Sequence, residues 1–278
     1  MFSPDGQRLA TASDDKTVRL WGLGGTASLS GLTQNRQRSA FGLPEPVILD
    51  AGRDAVLSVS SISLNSIAAG GRDGTVRVWY LDNPQKPPLM LRGHNGPVTA
   101  VAEAGGRILS ASLDGTIRVW SDLAGGSQKG TLQGHSGGVS SLAVSGDWGP
   151  LTMASAGSTD HTIHVWMSSS SAENPLILQY TPVLPAEPKL THDSISLLGS
   201  RLLAAGTNAG VVLVWDLSDA KKAPSILTPT SGAEGKVSSV SFNHGRDRLA
   251  GATGQLMAGG ARFAMDGPRR GPELRTEC

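Results

Sequence analysis

Cysteine is almost absent. The 278-residue chain has one, Cys278, which excludes an intramolecular disulfide framework and any cysteine-based zinc cluster. Charge is scarce as well, at 17% of residues where about 25% is usual. The 24 Lys and Arg almost cancel the 23 Asp and Glu, so no net field draws the chain to nucleic acid or to an acidic membrane surface. No apolar run approaches the ~20 residues that span a bilayer. The start, MFSPDGQRLA, lacks the basic and then apolar segments of a secretory signal. The expectation is a reducing compartment, the cytoplasm by default, with the nucleus equally permitted. Aromatics are only 4% of the chain, yet Trp accounts for six of them, while 36 glycines are nearly twice the usual ~7%.

What is present is a repeat. LATASDDKTVRLW ends at Trp21, IAAGGRDGTVRVW at Trp79, ILSASLDGTIRVW at Trp120, LTMASAGSTDHTIHVW at Trp166 and LLAAGTNAGVVLVW at Trp215. Each phrase predicts a hairpin: small and apolar residues alternate at period two, Asp-Gly or an equivalent turns the chain, and a β-branched run follows. Upstream strands with the same alternation are expected at 56–63, 98–104, 139–145 and 237–242, and short apolar segments at 87–94 and 129–135 supply a fourth strand. Four strands per repeat make a propeller blade.

On these phrases, and on Gly93-His94 and Gly134-His135, residues 1–253 resemble the WD-repeat family. The resemblance implies an all-β propeller of four-stranded antiparallel blades. Five repeats end at the Trp residues above. A partial sixth over 226–253 has two strands, and an irregular tail is expected over 254–278. The first repeat begins in mid-phrase, so an incomplete or truncated ring is expected. Gly/Ser/Pro-rich insertions at 22–46, 168–175 and 180–190 are expected to be loops.

The resemblance also implies a buried His–Ser/Thr–Asp–Trp chain in each blade, because a buried indole N–H or carboxylate is costly unless paired. Repeat three carries the full set, His94, Ser110, Asp114 and Trp120. Repeat one keeps Thr11, Asp15 and Trp21, and repeat two keeps Asp73 and Trp79. Repeat four keeps His135, Asp160 and Trp166, and repeat five only Trp215, with Ala209 at the Asp position. By residue type, His94, Ser110 and Asp114 also match a hydrolase triad. Recurrence in several repeats marks a structural element instead, and no G-x-S-x-G elbow is present. His161 and His164 stand three apart on an expected strand, which puts them on opposite faces, so no metal site is expected. GLGGTASLSG lacks both phosphate-loop patterns, and no cofactor is expected.

Family resemblance places partner contacts after the apolar residue that opens each first strand, at Leu57, Thr99, Ser140, Ser196 and Ser238. Further contacts fall just before the turn Asp, at Asp14, Arg72, Leu113 and Thr159. This rim is small and weakly polar, and with Arg72 as its one arginine it lacks the cluster that a phosphorylated peptide requires. The expected function is a non-catalytic scaffold for proteins or peptides, without nucleic-acid, membrane or small-molecule ligands. The alternative is the recognition portion of a larger enzyme or regulator, a kinase or ubiquitin-ligase subunit whose catalytic domain lies outside this sequence.

Overall fold

The computed structural model describes residues 1–23, 45–83, 86–120, 127–145, 151–167, 176–178, 191–219, 221–228, 235–242, 248–253, 261–265 and 274–277. The predicted insertion loops fall almost entirely outside these residues. The chain divides into two compact units, Met1–Gln133 and Gly134–Cys278.

The first unit holds three antiparallel sheets: β1 (Arg8–Ala12), β2 (Thr17–Gly22) and β3 (Val47–Asp50); β4 (Val56–Ser63), β5 (Ser66–Gly71), β6 (Val76–Tyr80) and β7 (Leu89–Leu91); and β8 (Val98–Ala104), β9 (Arg107–Ser112), β10 (Ile117–Trp120) and β11 (Gln128–Leu132). The second unit holds three more: β12 (Val139–Ser145), β13 (Thr152–Gly157), β14 (Ile163–Met167) and β15 (Leu176–Leu178); β16 (His192–Leu198), β17 (Leu202–Thr207), β18 (Val212–Asp216) and β19 (Ser225–Leu227); and β20 (Val237–Phe242), β21 (Arg248–Thr253), β22 (Ala261–Met265) and β23 (Leu274–Glu277).

All six sheets run in chain order, so strands that neighbour one another in a sheet are consecutive in the sequence. The fold class is all-β, built from antiparallel sheets of the propeller-blade kind. In the first sheet, Phe2 bridges Leu9, and the Met1 ammonium donates to the Ala10 carbonyl at 3.0 Å.

The tail differs from the reading above. Residues 261–265 and 274–277, expected to be irregular, are strands β22 and β23, and they complete a four-stranded sixth sheet. Pairing to the edge of β21 outweighs the missing β-branched run. Phe263 stands opposite Leu249, the same register place that Trp215 takes opposite Leu203.

Period-two alternation gives the second and fifth sheets two buried faces. In the second sheet, Ile67, Ala69 and Trp79 join a core with Ala10, Val18 and Leu20 of the first. Ala68, Val76 and Val78 point the other way, into a core with Val98, Ile108 and Trp120 of the third. The second unit repeats this: Trp215 of the fifth sheet packs with Ala154, Ile163 and Val165 of the fourth, while Val212 and Val214 face Val237 and Phe242 of the sixth. Each such Trp therefore caps the core toward the sheet before it. Glycine brings neighbouring sheets close: a Cβ on Gly70 would lie 2.5 Å from Val98 Cγ1, and one on Gly206 would lie 2.7 Å from Val237 Cγ1.

Outer strands β3, β7, β15 and β19 are only three or four residues long. Buried Leu49, Leu178 and Leu227 alternate there with exposed Ile48, Ile177 and Ile226.

Candidate functional site

The third sheet holds the complete polar network. Asp114 can only accept, so His94 Nδ1–H donates to its Oδ2 at 2.9 Å. The Ser110 hydroxyl then donates to His94 Nε2 at 2.8 Å and accepts from Trp120 Nε1–H at 2.9 Å. Thr116 Oγ1 and the Asn95 amide donate to the same carboxylate at 2.7 and 3.0 Å. Burial raises the Asp114 pKa, but these donors outweigh it and hold the carboxyl at about 2. Burial likewise pushes His94 below the ordinary imidazole range, against the pull of Asp114. The carboxylate's contribution to stability is therefore present above the unfolded value of about 4 and lost as pH falls through about 2. Ser110 has no exposed surface, so this Ser–His–Asp arrangement, competent by distance, is closed to any substrate. Replacing Ser110 by Ala is expected to cost about 1–3 kcal/mol by orphaning the imidazole and indole, measurable as a shifted denaturant midpoint.

The fourth sheet repeats the core of this network. His135 Nδ1–H donates to Asp160 Oδ2 at 2.8 Å, and Ser155 Oγ donates to His135 Nε2 at 2.8 Å. Ser155 is a member that the sequence reading missed. The turn is one residue longer here, so Ser155 lies five before Asp160 where Ser110 lies four before Asp114. Register makes them equivalent: Ser155 pairs with His164 as Ser110 pairs with Arg118. Trp166 does not close the chain, because its buried Nε1–H has no partner.

Sheets one and two lack the histidine, and arginine two places before the Trp takes its role. Arg77 forks onto Asp73 at 3.1 and 2.6 Å, with Thr75 Oγ1 donating to the same carboxylate at 2.6 Å. Burial raises Asp73, and Arg77 and Thr75 bring it down to about 2. Arg19 meets Asp15 at 2.5 Å in the first sheet, where Trp21 Nε1–H donates to Thr11 Oγ1 at 3.1 Å. In the fifth sheet Ala209 cannot accept, and the Thr207 hydroxyl closes the turn by donating to the Val211 carbonyl at 2.9 Å.

His161 and His164 are kept apart for a different reason from the one anticipated. His161 is not on the strand: it sits in the turn at φ 60°, the left-handed place that Gly74, Gly115 and Gly210 fill elsewhere. Among the described residues, no group of three His, Cys, Asp or Glu side chains is arranged to hold a metal ion.

The rim residues lie where the hairpin turns approach the link before each first strand. Amides of Arg72, Leu113, Ser158 and Asn208 donate to the carbonyls of Ala55, Pro97, Gly138 and Thr191 at 2.9, 3.0, 2.6 and 3.3 Å. Asn208 thus belongs to the set, and in the fourth sheet Ser158 takes this tie, with Thr159 the added residue. A bulge follows Val56, Val98, Val139, His192 and Val237, which makes Leu57, Thr99, Ser140, Asp193 and Ser238 equivalent. Ser196 is therefore corrected to Asp193 as the fifth member; the Ser196 hydroxyl instead accepts the Phe242 amide at 3.2 Å. Hydroxyls of Thr99, Ser140 and Ser238 donate across the hairpin to Ala111, Ala156 and Ala252 carbonyls at 3.2, 3.1 and 3.2 Å. Arg72 and Asp14 approach within 3.7 Å while staying 55% and 83% exposed, and Leu113 is 47% exposed.

Comparison with known proteins agrees with this geometry. The family model "WD domain, G-beta repeat" matches residues 1–22, 48–80, 85–121 and 126–167. Mitochondrial division protein 1 of Schizosaccharomyces pombe is 31% identical over 121 residues, 36% of this chain and 16% of that protein. U3 small nucleolar RNA-associated protein 12 of Saccharomyces cerevisiae is 33% identical over 100 residues, 36% of this chain and 10% of that protein. The chain thus spans a small part of the length of these relatives. The crystal structure of RRP9 WD40 repeats superposes with a TM-score of 0.69 over 91% of this chain and 71% of the other, at 22% identity, a likeness of fold alone. With its repeated turn networks, closing tryptophans and matching repeats, the chain belongs to the WD-repeat family.

Proposed function

We propose that the chain is a non-catalytic scaffold that binds protein or peptide partners on its loop rim. The burial of Ser110 carries this reading: the Ser–His–Asp arrangement of the third sheet is sealed, and its counterpart at Ser155 is equally buried. The rim supports it from the other side. Thr99, Ser140 and Ser238 spend their hydroxyls on cross-strand carbonyls, which leaves Arg72, Asp14 and Leu113 as the features a partner meets in the first unit. Backbone ties hold the main chain at Arg72 and Leu113, which limits the entropy lost on binding.

The names of the relatives differ, one given for mitochondrial division and one as small nucleolar RNA-associated, so neither an exclusion of nucleic acid nor a cytoplasmic location is carried into this proposal. The recognition portion of a larger protein remains the second reading, favoured by the much greater length of the relatives.

Arg72→Glu combined with Leu113→Asp is expected to weaken capture of the wild-type partners at least tenfold while leaving the melting temperature within about 2 °C, as exposed substitutions should. Quantitative affinity capture with both chains measures this. Equal capture by the two sinks the rim reading.

A further inference from the structure

The fourth sheet carries a buried pair of imidazoles that none of the networks above explains. His164 stacks on His135 with centroids 4.0 Å apart and planes 19° from parallel, and lies tilted against Trp166 at 5.6 Å. It is 2% exposed, and its buried Nδ1 has no hydrogen-bond partner. At the equivalent register place the first three sheets have Arg19, Arg77 and Arg118 and the fifth has Leu213. Arginine is charged at every physiological pH and leucine at none. Only the fourth of these five sheets has a side chain there that can change its charge in the mildly acidic range.

We propose that the stacked His135–His164 pair is an acid-operated latch on the fourth sheet, and that proton uptake at His164 releases the loop at 134–138 and the turn at 158–162 that the pair joins. The titratable groups facing His164 are few: His135 from the loop before β12 and Asp160 from the turn. Ser155 and Ile177 stand opposite on β13 and β15 and carry no charge. One carboxylate serves two rings, and His135 already uses it. A proton on His164 therefore places a cation in the apolar interior against a ring whose own partner is committed. Burial, and then the neighbouring His135, push His164 down to about 4, with Asp160 opposing.

The sign follows. The closed sheet holds the His164 proton far more weakly than an opened one, where imidazole returns to about 6.5, so closure is lost as pH falls from about 6.5 toward 4. Thr159 rides on the released turn. If the rim reading holds, acid also weakens binding there; that consequence rests on the rim reading, whereas the latch does not.

Amide hydrogen exchange on the full chain tests the latch directly, at pH 7 and pH 5 after correction for intrinsic rates. Protection of β13 and β14 is expected to fall on the order of tenfold at pH 5, while β5 and β6, whose sheet is clasped by Arg77 and Asp73, keep theirs. His164→Leu, the residue type of the fifth sheet, is expected to abolish the difference. Should that variant not fold, ring-proton titration of the wild type serves instead, with His164 expected to titrate well below an ordinary histidine. Parallel loss in β5 and β6, persistence of the fall in His164→Leu, or an ordinary His164 titration would each overturn the proposal.

Discussion

Replacing Asp73 by alanine is expected to destabilise the first unit by about 3–5 kcal/mol, because it strands a guanidinium in the interior. The Arg77 side chain is 5% exposed and Asp73 is 25% exposed, and the carboxylate also takes the Thr75 hydroxyl and amide at 2.6 and 3.1 Å. The same two residue types meet in the first sheet, yet Arg19 and Asp15 are 38% and 40% exposed. There water solvates whichever partner remains, so Asp15→Ala is expected to cost less than about 1 kcal/mol. Thermal unfolding of the two variants side by side measures the contrast. At roughly 3 °C per kcal/mol for a unit of this size, the Asp73 variant should melt about 10 °C lower. Equal losses would mean that the depth of the pair does not set its energetic weight.

Gly157→Ala is expected to be nearly as damaging, at about 3 kcal/mol or more, since it combines overpacking with a broken buried pair. The added carbon would sit 1.8 Å from Asp160 Oδ1 and 2.7 Å from His135 Nδ1. The third sheet has Ser112 at the same register place, opposite Val98 as Gly157 is opposite Val139, and tolerates its Cβ. The difference is the extra residue in the turn, which draws Asp160 back over Gly157. Gly130→Ala is the control: nothing lies within 4 Å of its added carbon, and a change within about 0.5 kcal/mol is expected. A second check uses coupling. Once Asp160 is alanine, the Gly157 substitution should cost far less than it does alone, because the two act through one contact. Additive losses would place the damage elsewhere.

The tryptophan phrases made the hairpins and the fold class legible, since alternation and Asp-Gly turns specify register as well as strand. The third network could be read entire because its spacing is regular. Ser155 escaped because one inserted residue shifts spacing while leaving strand register intact. Arg19 and Arg77 were missed for another reason: both stand in view as outward members of a β-branched run, and only the fold shows that the chain can curl an arginine back onto the turn carboxylate when histidine is absent. Phe263 in the tryptophan place, and with it the sixth sheet's last two strands, carried no recognisable phrase. Asp193 was displaced by Ser196 because the fifth first-strand opens on His192 rather than valine, which left no apolar marker to count from. Glycine had two uses that composition could not separate. It fills left-handed turns at Gly74, Gly115 and Gly210 and removes a side chain where Val98 and Val237 press on Gly70 and Gly206.

The outer strands bear on how the protein behaves when crowded. β7, β15 and β19 each offer three residues of unpaired backbone and β3 four, and Ile48, Ile177 and Ile226 protrude singly from three of them. A stranger's strand docking on such an edge gains one or two main-chain bonds and a single greasy contact before its register runs out, too little to nucleate a fibril. Brevity at the margin, rather than charge, is what makes these four edges poor templates for association in a chain with so little charge to spare.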